Sequence, residues 1–138
     1  MKTLYTATAT ATGSGRGGHV ESSDNALVAD LAVPKQLGGA GEGGTNPEQL
    51  FAAGFAACFH SALHVVARRQ KTTVDGSSVT ANVGIGPQGI GYGLTVELRV
   101  DLPGVEPGTA RALADAAHQV CPYSNATRGN IDVAVVVA

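Results

Sequence analysis

The chain has 138 residues, of which 43% are hydrophobic and only 14% charged, enough apolar material for one buried core and far from a disordered composition. Its formal net charge of −2, with nine Lys plus Arg and no basic run longer than Arg68-Arg69, argues against a surface that tracks nucleic-acid phosphates. So few charges on so small a domain predict that part of the surface is covered by another copy of the chain, a homo-oligomer.

The opening residues 2–12 alternate Thr and Ala around Leu4 and Tyr5, which predicts a strand and not the Leu-rich core of a secretory signal, so the cytoplasm is the expected address. Gly13-Ser14-Gly15-Arg16-Gly17-Gly18 reads as a turn. His19–Glu21 and Leu27–Leu31 follow as short strands around the turn residues Ser22-Ser23-Asp24-Asn25, giving a small antiparallel sheet. After a glycine-rich loop at 38–44, Asn46 is placed to cap a helix. Pro47 suits its first position, and Gln49 stands where a capping-box partner reaches back. The helix should run to about Arg69, with Leu50, Phe51, Gly54, Phe55, Cys58 and Ala62 on one face and Ala52, Ala53, Ala56 and Ala57 keeping it slim. Gly54 and His60 interrupt its apolar run, so no membrane span is expected. Ser78–Ile85 and Tyr92–Leu102 read as a hairpin joined by a longer loop. Pro107 opens a second helix that carries the chain to Cys121, where Pro122 stops it. A short turn or helix spans Ser124–Arg128, and Ile131–Val137 is a final apolar strand. Strands, helix, strands, helix and strand make an α+β fold, expected as one domain over 1–138.

Cys58 and Cys121 are the only cysteines. In a reducing compartment they are poor candidates for a permanent staple, which leaves redox, metal and packing roles. Free cysteine is often an inert buried residue, but Cys121 ends a helix and leads into Pro122-Tyr123-Ser124-Asn125, where loops present side chains. Two cysteines without a third or fourth suit a reversible pair better than a four-ligand zinc site. His60 and His64 share a helical face, yet Cys58 and His60 differ by about 200° around the helix, so no metal site is expected and the histidines read as exposed or packing residues. Arg16, in a pliable glycine turn, and Glu48, in the first helical turn, are a plausible pair. A redox cysteine needs a nearby cation to persist as thiolate, and a carboxylate can hold an arginine fork in place. Gly13-x-Gly15-x-x-Gly18 and Gly39-x-Gly41-x-x-Gly44 match the dinucleotide glycine pattern only formally, because the first leads to a strand and the second lacks the acidic residue beyond it.

Two segments carry a family resemblance. Gly43-Gly44-Thr45-Asn46-Pro47-Glu48-Gln49-Leu50-Phe51-Ala52-Ala53-Gly54-Phe55-Ala56-Ala57-Cys58-Phe59 and Val120-Cys121-Pro122-Tyr123-Ser124-Asn125-Ala126-Thr127-Arg128-Gly129-Asn130 resemble the organic hydroperoxide resistance family, within the larger OsmC group of osmotically inducible hydroperoxide reductases. Phe55 stands where that family commonly has tyrosine. The resemblance implies that Cys58 is the peroxidatic cysteine and Cys121 the resolving one, with Arg16 and Glu48 completing the site. It also implies an intertwined homodimer, its sheets wrapped around long central helices, and a dithiol reductant in the form of lipoylated carrier proteins. No resident cofactor is implied.

These residues predict a thiolate at Cys58 that reduces a hydroperoxide, is left as a sulfenic acid and condenses with Cys121. Phe51, Phe55 and Phe59 are expected to form an apolar pocket for substrates with hydrocarbon chains. Glu48 and Cys58 would lie about 15 Å apart along one helix, so either the helix breaks near Gly54 or each site draws Arg16 and Glu48 from the partner subunit. The competing reading is a non-catalytic module whose slim helix lines an apolar-ligand cavity while the cysteines merely pack.

Overall fold

The computed structural model describes residues 1–138, and their contacts gather into two compact units, Met1–Leu50 and Phe51–Ala138. In the first, β1 (Ala9–Thr12), β2 (His19–Ser22) and β3 (Val28–Asp30) pair antiparallel in that order. The strand expected over 2–12 is thus shorter: Ala9 to Thr12 lie opposite Ser22 to His19. The short partner is the reason. β2 has only four residues, so residues 2–7 find no ladder in this sheet, and Leu4 and Tyr5 are exposed.

The glycine run between β1 and β2 closes as a 3-10 turn over Gly15–Gly17. Gly18 makes the closure possible, because a Cβ there would lie 2.1 Å from the Thr12 carbonyl oxygen. Past β3, Leu31 bridges Thr45 in parallel, which returns the chain to the sheet just before a long helix. Asn46 caps that helix through Oδ1, which accepts the Gln49 amide at 2.8 Å. The Gln49 side chain departs from the capping-box expectation: its Oε1 accepts the Thr45 hydroxyl at 2.6 Å.

This helix, α1 (Pro47–Arg69), is unbroken over 23 residues. Beyond Leu50 it belongs to the second unit, where it buries Phe55, Phe59, Ala62, Leu63, Val66 and Ala67. A second sheet has the order β4 (Ser78–Gln88), β5 (Gly91–Asp101), β6 (Val133–Val137), with β4 antiparallel and β6 parallel to β5. The longer loop expected in the β4–β5 hairpin is instead two residues, Gly89 and Ile90. Gly89 takes φ +57°, the left-handed start that tight hairpin turns demand, and Pro87 is tolerated because β4 is an edge strand.

Period-2 alternation puts one face of this sheet inward. Val79, Ala81 and Val83 stand opposite Val100, Leu98 and Val96, which in turn stand opposite Val137, Val135 and Val133, and all nine join the core. That face packs with α1 and with α2 (Pro107–Val120), whose Ala110, Leu113, Ala114 and Ala117 are buried. Glu106 caps α2 by accepting the Gly108 and Thr109 amides. A last short helix, α3 (Pro122–Thr127), precedes β6. By length and hydropathy α1 could cross a membrane, but one face of it is committed to this core.

Candidate active site

In the first unit, the 3-10 turn presents Arg16 to Glu48 in the first turn of α1. The guanidinium donates to both carboxylate oxygens, at 2.7 and 2.8 Å, the fork-to-fork geometry that fixes a planar cation in one orientation. Glu48 is the more enclosed partner, its side chain 14% exposed against 41% for Arg16. The hydrogen bond from Arg16 is the main cause that holds the Glu48 carboxyl below its ordinary range, with burial opposing it. A depressed carboxylate pKa means the pair is intact at neutral pH and is given up only as acid drives pH down through that lowered value.

In the second unit, Cys58 and Cys121 come together. Both are free thiols, Cys58 half-buried and Cys121 fully buried, with their sulfurs 3.6 Å apart. Proline chemistry places Cys121. A residue before proline is pushed out of the helical region, and Cys121 (φ −66°, ψ 123°) ends α2 and caps α3 at once, its sulfur accepting the Ser124 amide at 3.5 Å. Burial pushes the Cys58 thiol up, and the Cys121 thiol adds to the rise, since two sulfurs this close disfavour a second anion. The backbone amide of Tyr123 pulls it back down.

Tyr123 does a second thing. Its ring meets Phe55 edge-on at 5.7 Å and lies 6.4 Å from Phe51, while Phe51 and Phe55 are 6.0 Å apart. Gly54 sits beneath this cluster, where a Cβ would come within 3.3 Å of the Tyr123 ring. Of the three phenylalanines expected to form an apolar pocket, Phe55 and Phe59 are fully buried and Phe51 partly so. Phe59 faces the His118 ring at 6.5 Å. A groove of about 380 Å³ opens beside Cys58, lined by Ser61, Val65 and Arg69 of α1 and by Val120 and Pro122. Sequence reasoning stopped the Cys58 face at Ala62, although the same spacing carried further leads to Val65 and Arg69. The Tyr123 amide had no signal in the sequence, because a backbone group has no identity to read.

The histidines have polar partners. His60 Nε2 lies 2.9 Å from the Ser77 hydroxyl, with the His64 ring 4.7 Å from its own, and His118 Nδ1 lies 2.9 Å from the Ser124 hydroxyl. Burial, together with the neighbouring His64, pushes His60 below its ordinary value. Two thiols in contact, one half-buried and steadied by a backbone amide and the other fully buried, are suited to cycle between dithiol and disulfide.

Comparison with known proteins finds that residues 39–136 match the family model described as OsmC-like protein. An organic hydroperoxide resistance protein of Xanthomonas axonopodis pv. citri is 57% identical over 99% of this chain and 96% of its own length. The organic hydroperoxide resistance protein OhrA of Bacillus subtilis is 51% identical over 98% of this chain and 96% of its own. Among solved structures, that of an organic hydroperoxide resistance protein from Elizabethkingia anophelis superposes with a TM-score of 0.94 at 53% identity, covering 100% of this chain and 99% of that one.

Proposed function

The chain belongs to the OsmC-like family, among the organic hydroperoxide resistance proteins, and from that premise we propose that it is a cysteine-based peroxidase reducing organic hydroperoxides to alcohols. One observation carries the reading: two reduced cysteines, on different elements and far apart in sequence, whose sulfurs lie 3.6 Å apart. The Cys58 thiolate attacks one peroxide oxygen and the O–O bond breaks. The alkoxide takes up a proton and leaves as the alcohol, and Cys58 is left as a sulfenic acid. The Cys121 sulfur then attacks Cys58, water departs, and a disulfide forms. The sulfurs need approach by only about 1.5 Å to reach bonding distance. An external dithiol, such as a lipoyl group on a carrier protein, returns the pair to thiols by two exchanges and is itself left as a disulfide.

Burial alone works against this chemistry, because it favours the neutral thiol of Cys58. Arg16 is the cation that offsets it, held in aim by Glu48, and in this reading both come from the partner subunit of a homodimer. Phe51, Phe55 and Phe59 supply the apolar surroundings that favour hydrocarbon peroxides over hydrogen peroxide. Adding one equivalent of an alkyl hydroperoxide to the reduced protein should remove two free thiols per chain. Unchanged thiols would instead favour a non-catalytic apolar-ligand module.

Arg16→Ala should raise the Cys58 pKa by about one unit or more, the usual effect of losing a cation beside a thiolate. Oxidation would slow about tenfold at neutral pH for each unit, and the two proteins would converge at alkaline pH where both are ionised. Rates of thiol oxidation followed across pH give the two midpoints directly. Coincident midpoints would remove Arg16 from its role.

A further inference from the structure

α2 and α3 meet at a break and not as one continuous rod, because Cys121 is extended and Pro122 follows it. Two side chains bridge that break. His118, in the last turn of α2, places Nδ1 2.9 Å from the Ser124 hydroxyl of α3. Arg128, just past α3, donates through Nη2 to the His118 carbonyl at 2.7 Å. Ser124 is fully buried, where an unbonded hydroxyl is costly, and the bond with His118 meets that need. Burial, with the Arg128 charge second, keeps His118 below its ordinary pKa, so the ring that holds Ser124 is uncharged at neutral pH.

The bridge bears on Cys121. A cysteine sulfur has staggered positions to choose among, and here its hydrogen-bonding contacts are the Ser124 amide, 3.5 Å away, and the Cys58 sulfur, 3.6 Å away. The residue that His118 holds by its hydroxyl therefore steadies the Cys121 sulfur by its amide. Peroxide attack at Cys58 makes no use of this arrangement, but the step after it does. There Cys121 gives up its proton, its sulfur attacks the Cys58 sulfur, and the sulfenic oxygen leaves as water. An attacking atom held near its target reacts faster than one that must first be brought there. Resting on the reading of Cys121 as the resolving thiol, we infer that His118 and Ser124 are positioning residues for disulfide closure. They hold the Cys121 sulfur against Cys58 and so set how long the sulfenic acid lasts.

Rapid mixing of the reduced protein with an alkyl hydroperoxide, followed by acid quenching and mass measurement, separates two phases: oxidation of Cys58 and closure of the disulfide. In Ser124→Ala the first phase should keep its rate and the second should slow about fivefold or more, the scale of one lost hydrogen bond. His118→Leu should slow closure by a similar factor, and the double variant by no more than either alone, because the two act as one unit. His118→Asn, whose amide takes the place of Nδ1, should restore most of the rate. With excess hydroperoxide, a longer-lived sulfenic acid meets a second peroxide more often, so sulfinic acid formed per turnover should rise in the same proportion. Closure unchanged in Ser124→Ala, effects that add in the double variant, or both phases slowed together overturns the assignment. An aromatic disulfide keeps this test apart from the peroxidase reading. Dithiobis-nitrobenzoate, added at one equivalent, forms a mixed disulfide at Cys58 and releases a coloured thiolate, and attack by Cys121 releases another. If no hydroperoxide reacts, the peroxidase reading fails, and the later release still decides the positioning by whether Ser124→Ala slows it.

Discussion

Cys58→Ser is expected to bring hydroperoxide turnover down to the uncatalysed background, while Cys121→Ser undergoes one fast oxidation and then stops. The difference follows from where the two sulfurs sit. Cys58 is half-buried and lines the groove, whereas Cys121 is fully buried and does not, so a solute reaches the first sulfur more readily. A serine hydroxyl at position 58 is not ionised near neutral pH and has no comparable affinity for peroxide oxygen. At position 121 serine keeps the structure. The Cys121 sulfur accepts the Ser124 amide as the cap of α3, and serine is among the residues that cap best. The second variant therefore tests resolution without unfolding the site. Its sulfenic acid, with no thiol to condense with, should accumulate stoichiometrically and be trapped by a cyclic 1,3-diketone added after one equivalent of peroxide. A Cys121→Ser chain that fails to react in that first turnover would reverse the two roles.

Mixing two inactive chains, Cys58→Ser and Glu48→Ala, should restore about a quarter of wild-type activity once subunits have exchanged. Half of the dimers are then mixed, and each mixed dimer carries one site with both groups intact. The expectation rests on the continuity of α1, which runs without a break through Gly54. Glu48 and Cys58 are ten residues apart on that one rigid element, about 15 Å along its axis, and a break near Gly54 is no longer available to bring them together. Tyr123 packs on Gly54, so the glycine there serves close approach of a ring and not a hinge. A site assembled within one chain would leave every combination inactive.

Much of this was legible from local rules. Asn46-Pro47 announced the start of α1 because capping depends on a few adjacent residues, and Pro122 announced the end of α2 because proline restricts its neighbour whatever surrounds it. The resemblance then supplied roles for Cys58, Cys121, Arg16 and Glu48 that spacing alone could not. What was not legible depends on partners distant in sequence. The extent of β1 is set by the four residues of β2 opposite it. The hairpin turn is shorter than expected because the ladder runs on through Pro87 to Gln88, which β4 tolerates as an edge strand. The groove beside Cys58 exists only because Val120 and Pro122 come to lie along α1. No periodicity within α1 states which of its faces another element will border.

The parallel placement of β6 beside β5 has a consequence for how the protein is born. A parallel neighbour cannot be reached by a tight turn, and here the whole α2–α3 segment intervenes. Chains emerge from the ribosome N-terminal side first, so α1 with Cys58 and the local β4–β5 hairpin are made before α2 exists. α2, which ends at Cys121, packs against β6 and lacks that part of its bed until β6 has been synthesised. For a period on the order of ten seconds at ordinary translation rates, a nascent chain carries Cys58 without Cys121 beside it. Under the proposed mechanism, any Cys58 oxidised in that interval is held as a sulfenic acid that nothing within the chain condenses, one step from irreversible oxidation. For a peroxidase of the proposed kind, the order in which strands are laid down thus sets a window of vulnerability, which closes when the last strand docks.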